Sequence, residues 1–219
     1  GIEIASGLAT ELVSGPKYYS SPNYSPDGRW LVYTADDHGR SIQLEVLNID
    51  TGETTALTNN TQIYADPRFS PDGSRIAYVS TEPSGYFNVY IRAFSQGHFS
   101  GDAIAVTSDN NYGRDRLYFG PDDIHISPAW FPDGENLLLV ANRDVPLGSG
   151  NVFRVPARED GFDERSTVLA EQTLYRTQPD VSIDGKRFIF SSTRGTADQF
   201  NNLYVQPTVG GEPYKMTFF

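Results

Sequence analysis

The sequence predicts an all-β fold made of repeated four-stranded antiparallel units, and three observations support this prediction. A turn of the form Pro-Asp-Gly, reduced to Ile-Asp-Gly in its last copy, occurs four times in the 219 residues. Each copy is followed by apolar residues at every second position, which is the pattern of a strand. No long window carries the 3.6-residue apolar period of a helix. The recurrence of one such unit indicates a repeat architecture.

The residues of the turn follow from its backbone geometry. Proline sets φ near −65° at the first corner, aspartate bonds to the local backbone, and glycine accepts a positive φ. The turn residues are Asp27-Gly28, Asp72-Gly73, Asp133-Gly134 and Asp184-Gly185, at intervals of 45, 61 and 51 residues. Because these aspartates recur with the turn, we predict a structural role for them rather than acid–base catalysis.

Each unit has an inner strand before the turn and three further strands after it. The apolar residues near the end of the inner strands are Tyr24, Phe69, Trp130 and Val181. The units span residues 21–58, 66–107, 127–169 and 177–217. Arg154 interrupts the apolar pattern, so the third unit is the least regular.

The segment at residues 67–73, Pro-Arg-Phe-Ser-Pro-Asp-Gly, and its three relatives resemble the WD-like repeats of the TolB β-propeller family. The resemblance covers roughly residues 20–219 and implies one propeller domain, residues 1–219, of four-stranded antiparallel blades. Residues 1–20 include a stretch at 10–14 that is similar to a fourth strand, so we expect them to complete a blade. Propellers have four to eight blades. The four repeats either close a small ring or belong to a larger propeller, and we favour the larger one.

Composition excludes several classes of protein and site. The net charge of −11 argues against a nucleic-acid partner, because nucleic acids select basic surfaces. The absence of cysteine excludes disulfides and thiolate metal sites. No apolar run approaches the roughly 20 residues of a membrane span, so we expect no membrane insertion. The first residues lack an initiating Met, which indicates a processed or truncated start.

A search for catalytic motifs predicts no catalytic residues, no metal and no cofactor within this sequence. The three histidines, His38, His98 and His125, form no His-Glu-x-x-His pair. The nucleophile motif Gly-x-Ser-x-Gly is absent, and the acidic stretches do not follow the calcium-loop pattern.

Candidate binding residues come from the topology of a blade. The Asp-Gly turns lie at one end, and the connections between second and third strands, and between units, lie at the other. That loop end and the channel mouth present the candidate set His38, Tyr86, Arg114, Arg116, His125, Arg143, Arg176 and Arg194. Arginine and tyrosine are frequent anchors at interfaces. The longest connection, residues 108–123, belongs to the same end.

Three functions remain open from the sequence. The resemblance implies a non-catalytic module that binds a protein or ligand, in the bacterial periplasm or outside the cell. The alternative is an accessory propeller of a larger hydrolase, similar to prolyl-oligopeptidase-like peptidases or metal-dependent amidohydrolases, whose catalytic residues lie elsewhere. The partner would then be the rest of the polypeptide. A propeller-type polysaccharide lyase would need clustered histidines and metal ligands, which the sequence does not offer.

Overall fold

A computed structural model describes residues 1, 6–39, 41–110, 125–142, 150–170, 176–194 and 200–218. It contains four four-stranded antiparallel sheets, each formed by strands that follow one another along the chain. The sheets are the blades of a β-propeller, and the predicted fold class is confirmed.

The first two blades differ in their outer strands, which have three residues in blade 1 and eight in blade 2. Blade 1 comprises β1 (Tyr18–Tyr24), β2 (Trp30–Asp36), β3 (Ile42–Asn48) and β4 (Thr54–Ala56). Blade 2 comprises β5 (Tyr64–Phe69), β6 (Arg75–Ser80), β7 (Asn88–Ser95) and β8 (His98–Ala105). Strand β8 returns directly from β7 through a tight turn and pairs along most of its length.

The other two blades have outer strands of four and two residues. Blade 3 comprises β9 (His125–Trp130), β10 (Asn136–Ala141), β11 (Asn151–Pro156) and β12 (Ser166–Leu169), with a 3-10 turn at Gly161–Glu164 before β12. Blade 4 comprises β13 (Arg176–Val181), β14 (Arg187–Ser192), β15 (Asn202–Pro207) and β16 (Tyr214–Lys215).

The first strand of each blade, which contains the X-Pro step, lies at the inside of the propeller. Contacts between blades join β1 to β5, β5 to β9 and β9 to β13. Among the described strands, no contact of comparable extent joins blade 4 to blade 1. The inner strands therefore stand side by side in chain order, as the sequence predicts.

Each pair of neighbouring blades buries a core between two sheet faces. Between blades 2 and 3, Val79, Val89 and Ile91 pack with Leu137 and Leu139 of the next sheet. All five side chains are at most 1% exposed. Full burial of one such side chain contributes about 1.5–3 kcal/mol, so the interfaces between blades supply most of the stability.

The stretch at residues 10–14, predicted as a strand, forms no strand in the structure. Leu12 and Val13 instead pack on the apolar face of blade 1 that points away from blade 2. The backbone of Gly1 exchanges two hydrogen bonds with Thr10, at 2.6 and 2.8 Å, which fixes the start of this segment. Burial of the two apolar side chains, rather than strand pairing, holds the segment in place.

We expect Leu138→Ala to lower the free energy of unfolding by about 2–5 kcal/mol, because Leu138 is 0% exposed between blades 3 and 4. Urea unfolding followed by circular dichroism measures the change. Leu8→Ala is the matched control, because Leu8 is 64% exposed, and should cost less than about 0.5 kcal/mol. Equal losses for the two variants would contradict the packing described here.

Candidate binding site

The turn aspartates bond to their own turns. In blade 2 the Ser70 hydroxyl donates to Asp72 Oδ1 at 2.5 Å, and the backbone N–H of Ser74 donates to the same oxygen at 3.0 Å. The hydrogen bond from Ser70 is the largest cause of a lowered pKa, which is about 2 for Asp72. In blades 1 and 4, hydrogen bonds from the corresponding serine hydroxyl and backbone N–H lower the pKa of Asp27 and Asp184. The carboxylates hold the turn.

The glycine that follows each turn aspartate has a positive φ, and in blades 2, 3 and 4 it lies close to the neighbouring blade. A Cβ on Gly73 would lie 3.4 Å from Pro26 Cδ of blade 1. A Cβ on Gly185 would lie 3.6 Å from Pro132 Cδ of blade 3. At Gly134 the neighbour is the Arg75 guanidinium, which donates to the glycine carbonyl at 2.6 Å. The turns therefore stack from blade to blade and form part of the scaffold.

We expect Asp72→Ala to lower the free energy of unfolding by about 1 kcal/mol at pH 7, because three hydrogen bonds are lost. The lowered pKa makes this contribution complete above pH 3.8, the ordinary carboxyl value, and progressively lost as the pH falls towards about 2. The difference between wild type and variant should therefore shrink between about pH 4 and pH 2 in urea titrations. Asp102→Ala, on exposed β8, is the control. A difference independent of pH would refute this account.

The structure describes three of the candidate binding side chains. His38 and Tyr86 lie in the connections between second and third strands of blades 1 and 2, and Arg194 begins that connection in blade 4. Three others, Arg114, Arg116 and Arg143, lie outside the described residues. His125 and Arg176 start inner strands β9 and β13, and only their backbones are described.

His38 is exposed at the loop end and contacts an aromatic neighbour. Its ring meets the ring of Tyr18 edge-on, with centroids 5.3 Å apart. Tyr18 begins the inner strand of blade 1 and is 67% exposed. The pair forms an accessible aromatic surface where the loop between strands approaches the inner strand.

In blade 2 the loop end carries a hydrogen-bonded carboxylate. The Tyr64 hydroxyl and the Asn60 amide both donate to Glu82. Burial is the largest cause that raises the pKa of Tyr64, and the bond to Glu82 raises it further. Tyr86, in the same connection, is half-buried, and its backbone N–H donates a hydrogen bond to the Ser84 hydroxyl oxygen at 3.2 Å.

Arg194 is engaged with its own blade. Its guanidinium forms an ion pair with Glu212 at 2.9 Å, and its carbonyl accepts from the Tyr204 hydroxyl. It is therefore a less accessible anchor than the exposed His38.

One group of residues, one on each inner strand, was not predicted as a site from the sequence; we call them the axial residues. Each inner strand has a bulge at an X-Pro step, where residue X adopts a left-handed conformation with φ of 49–54°. The four axial residues are Ser21, Asp66, Ser127 and Gln178. Asp66 Oδ1 accepts from the Ser21 hydroxyl of blade 1 at 3.2 Å, and Oδ2 accepts from the Ser127 hydroxyl of blade 3 at 3.1 Å. The recurrence of X-Pro in each repeat was the available signal.

The described ranges contain neither a cluster of metal ligands nor a membrane-spanning helix. No group of three or more His, Cys, Asp or Glu side chains in these ranges is arranged to hold a metal ion. Within the same ranges, no helix has the length and apolar character needed to cross a bilayer.

The repeat geometry matches a known family. The family model described as the TolB beta propeller domain matches residues 2–116. The chain belongs to this family. A comparison with curated proteins found no match.

Solved structures with the same fold include TolB proteins and enzymes. TolB from Acinetobacter baumannii is 17% identical, with a TM-score of 0.70 over 94% of this chain and 45% of that one. A puromycin-hydrolysing peptidase of Mycobacterium tuberculosis is 16% identical, with a TM-score of 0.63 over 95% and 30% of the two chains. An oligogalacturonate lyase in complex with manganese is 15% identical, with a TM-score of 0.60 over 98% and 57%. At these identities the likeness concerns the fold, and the chain spans less than two thirds of each of these proteins.

Proposed function

We propose that this TolB-family propeller is a non-catalytic binding module that recognises a protein partner with its loop end. The observation that carries the proposal is the exposed Tyr18–His38 pair, where a loop of blade 1 meets the inner strand. Aromatic side chains bury a large area with few rotatable bonds, which suits an interface anchor. The turn end is a poorer candidate, because its aspartates and glycines are already committed to their own turns and to neighbouring blades.

The charge of the chain favours a particular kind of partner. The net charge of −11 would steer a basic protein surface towards this module and repel acidic ones. Within that acidic background, arginines of the candidate set, including Arg116 and Arg143, would anchor individual carboxylate or carbonyl groups of the partner. We place the module in the bacterial periplasm or outside the cell, on the basis of its family and its lack of cysteine.

A second candidate function has its own support. The propeller would be an accessory part of a larger hydrolase, with the rest of that polypeptide as its partner. The likeness to the M. tuberculosis peptidase, of whose chain this one spans 30%, favours this alternative. The propeller would then control access to catalytic residues that lie elsewhere.

Binding through the loop end can be tested by charge reversal. Arg116→Glu with Arg143→Glu should weaken binding of a partner, identified by cross-linking in a bacterial periplasmic extract, by about tenfold or more. Affinity is measured by biolayer interferometry with the purified partner. The matched control is Arg29→Glu with Lys186→Glu, which makes the same charge change at the turn end and should alter the affinity less than about twofold.

Unchanged affinity in the loop-end variant, or equal loss in the control variant, would refute recognition by the loop end. Peptidase activity of the purified wild-type chain on a set of peptide substrates would refute a purely non-catalytic role. A partner that proves to be a segment of the same polypeptide would support the accessory-domain alternative.

A further inference from the structure

The Asp66 carboxylate lies where three blades meet. Its two oxygens accept from Ser21 on β1 and Ser127 on β9, while Asp66 itself belongs to β5. Blades 1 and 3 are on opposite sides of blade 2. A single short side chain can reach both only near the propeller axis, where the inner strands converge.

The three residues are held firmly at this position. Ser127 is 4% exposed, and each of the three has a left-handed backbone immediately before a proline. Residues before proline normally avoid compact conformations, so this backbone is imposed by the bulge and the surrounding strands. Further bonds tie the same strands together, from Phe69 N–H to Asn23 Oδ1 at 2.8 Å and from Trp130 Nε1 to the Arg68 carbonyl at 3.0 Å. The carboxylate is therefore pre-positioned.

Within the described ranges, no cationic side chain balances the charge on this carboxylate. Among the described residues, no lysine, arginine or histidine forms an ion pair with Asp66. A carboxylate has about four acceptor positions, and the two serine hydroxyls occupy two of them. Asp66 is half-buried, so it is partly removed from solvent while two acceptor positions remain for donors.

We propose that Asp66, positioned by Ser21 and Ser127, is a binding site for a cationic nitrogen group that enters the central channel. An ammonium or guanidinium group supplies the donors that the free acceptor positions require, and its charge compensates a partly buried carboxylate. Such a group can come from a lysine or arginine side chain of a peptide or from a free amine. Recognition by the loop end does not require this site, so the two proposals can fail separately.

The test uses binding of small probes to the purified chain, followed by NMR. The probes are acetyl-Gly-Lys-Gly-amide, its norleucine analogue, which lacks the charge, and methylammonium chloride. We expect the lysine peptide to bind, with shift changes at the backbone amides of Asp66 and Ser127, and the norleucine peptide to bind at least about tenfold more weakly. Binding should weaken as salt is raised.

Variants distinguish a specific site from general attraction to an acidic protein. Asp66→Asn keeps the side-chain size and tolerates a positive φ, and it should weaken the lysine peptide about tenfold or more. Asp102→Asn changes the net charge equally but lies on outer strand β8, and it should change the affinity less than about twofold. Ser127→Ala removes one positioning hydrogen bond and should have an intermediate effect.

The possible outcomes are decisive. Equal affinity of wild type and Asp66→Asn, equal binding of the lysine and norleucine peptides, or no binding of any cationic probe would overturn the proposal. If the lysine peptide binds more tightly than methylammonium, the site recognises a peptide; if their affinities are equal, it recognises a free amine. If the variant Arg116→Glu with Arg143→Glu binds the lysine peptide with wild-type affinity, this site acts independently of the loop end.

Discussion

The packing of one sheet face against the next is the interaction on which the rest of this structure depends. A blade of four short strands has two apolar faces, because successive side chains along each strand point to opposite faces. In β14, Phe188 and Phe190 point towards blade 3, while Ile189 between them points the other way. Neither face is covered within its own blade. The repeated turn, the bulged inner strand and the stacked glycines all serve to bring these faces together at a fixed angle.

Blade 1 shows how this requirement is met with different chemistry. Where blades 2 and 3 have Tyr90 and Phe153 on the face towards the preceding blade, blade 1 has Glu45, which is 8% exposed. The Lys17 ammonium bonds to Glu45 at 2.5 Å and the Tyr33 hydroxyl donates to it at 3.1 Å. The bond to Glu45 is the largest cause that raises the pKa of Lys17, and burial raises the pKa of Tyr33 to about 12. The segment with Leu12 and Val13 completes this face, so apolar packing and a paired charge share the same surface.

The sequence is sufficient for the parts of the structure that depend on local chemistry and on period. The turns, the inner strands and the antiparallel units follow from the Asp-Gly pairs and from the alternation of apolar residues. Arg154 breaks that alternation, but its guanidinium lies over the Phe131 ring, 4.4 Å from the ring centroid, and so still packs on an aromatic neighbour.

The axial residues could not be found from local chemistry and period. An X-Pro step predicts extended backbone, and only the meeting of three blades shows that Asp66 lies between two serines. The contacts of Arg194 with Glu212 were not predictable either, because they depend on how blade 4 folds back on itself.

Two aspartates of the same repeat, Asp66 and Asp72, show why local and long-range contacts have different consequences for function. Asp72 receives its hydrogen bonds from residues two positions away, so its charge is satisfied as soon as the turn forms, whatever the other blades do. Asp66 receives its hydrogen bonds from residues 45 and 61 positions away, on two other blades. Its environment therefore exists only in the assembled propeller and responds to the relative position of three sheets. A ligand that bonds to this carboxylate would also stabilise that arrangement, because it binds the assembled blades and not the unfolded chain.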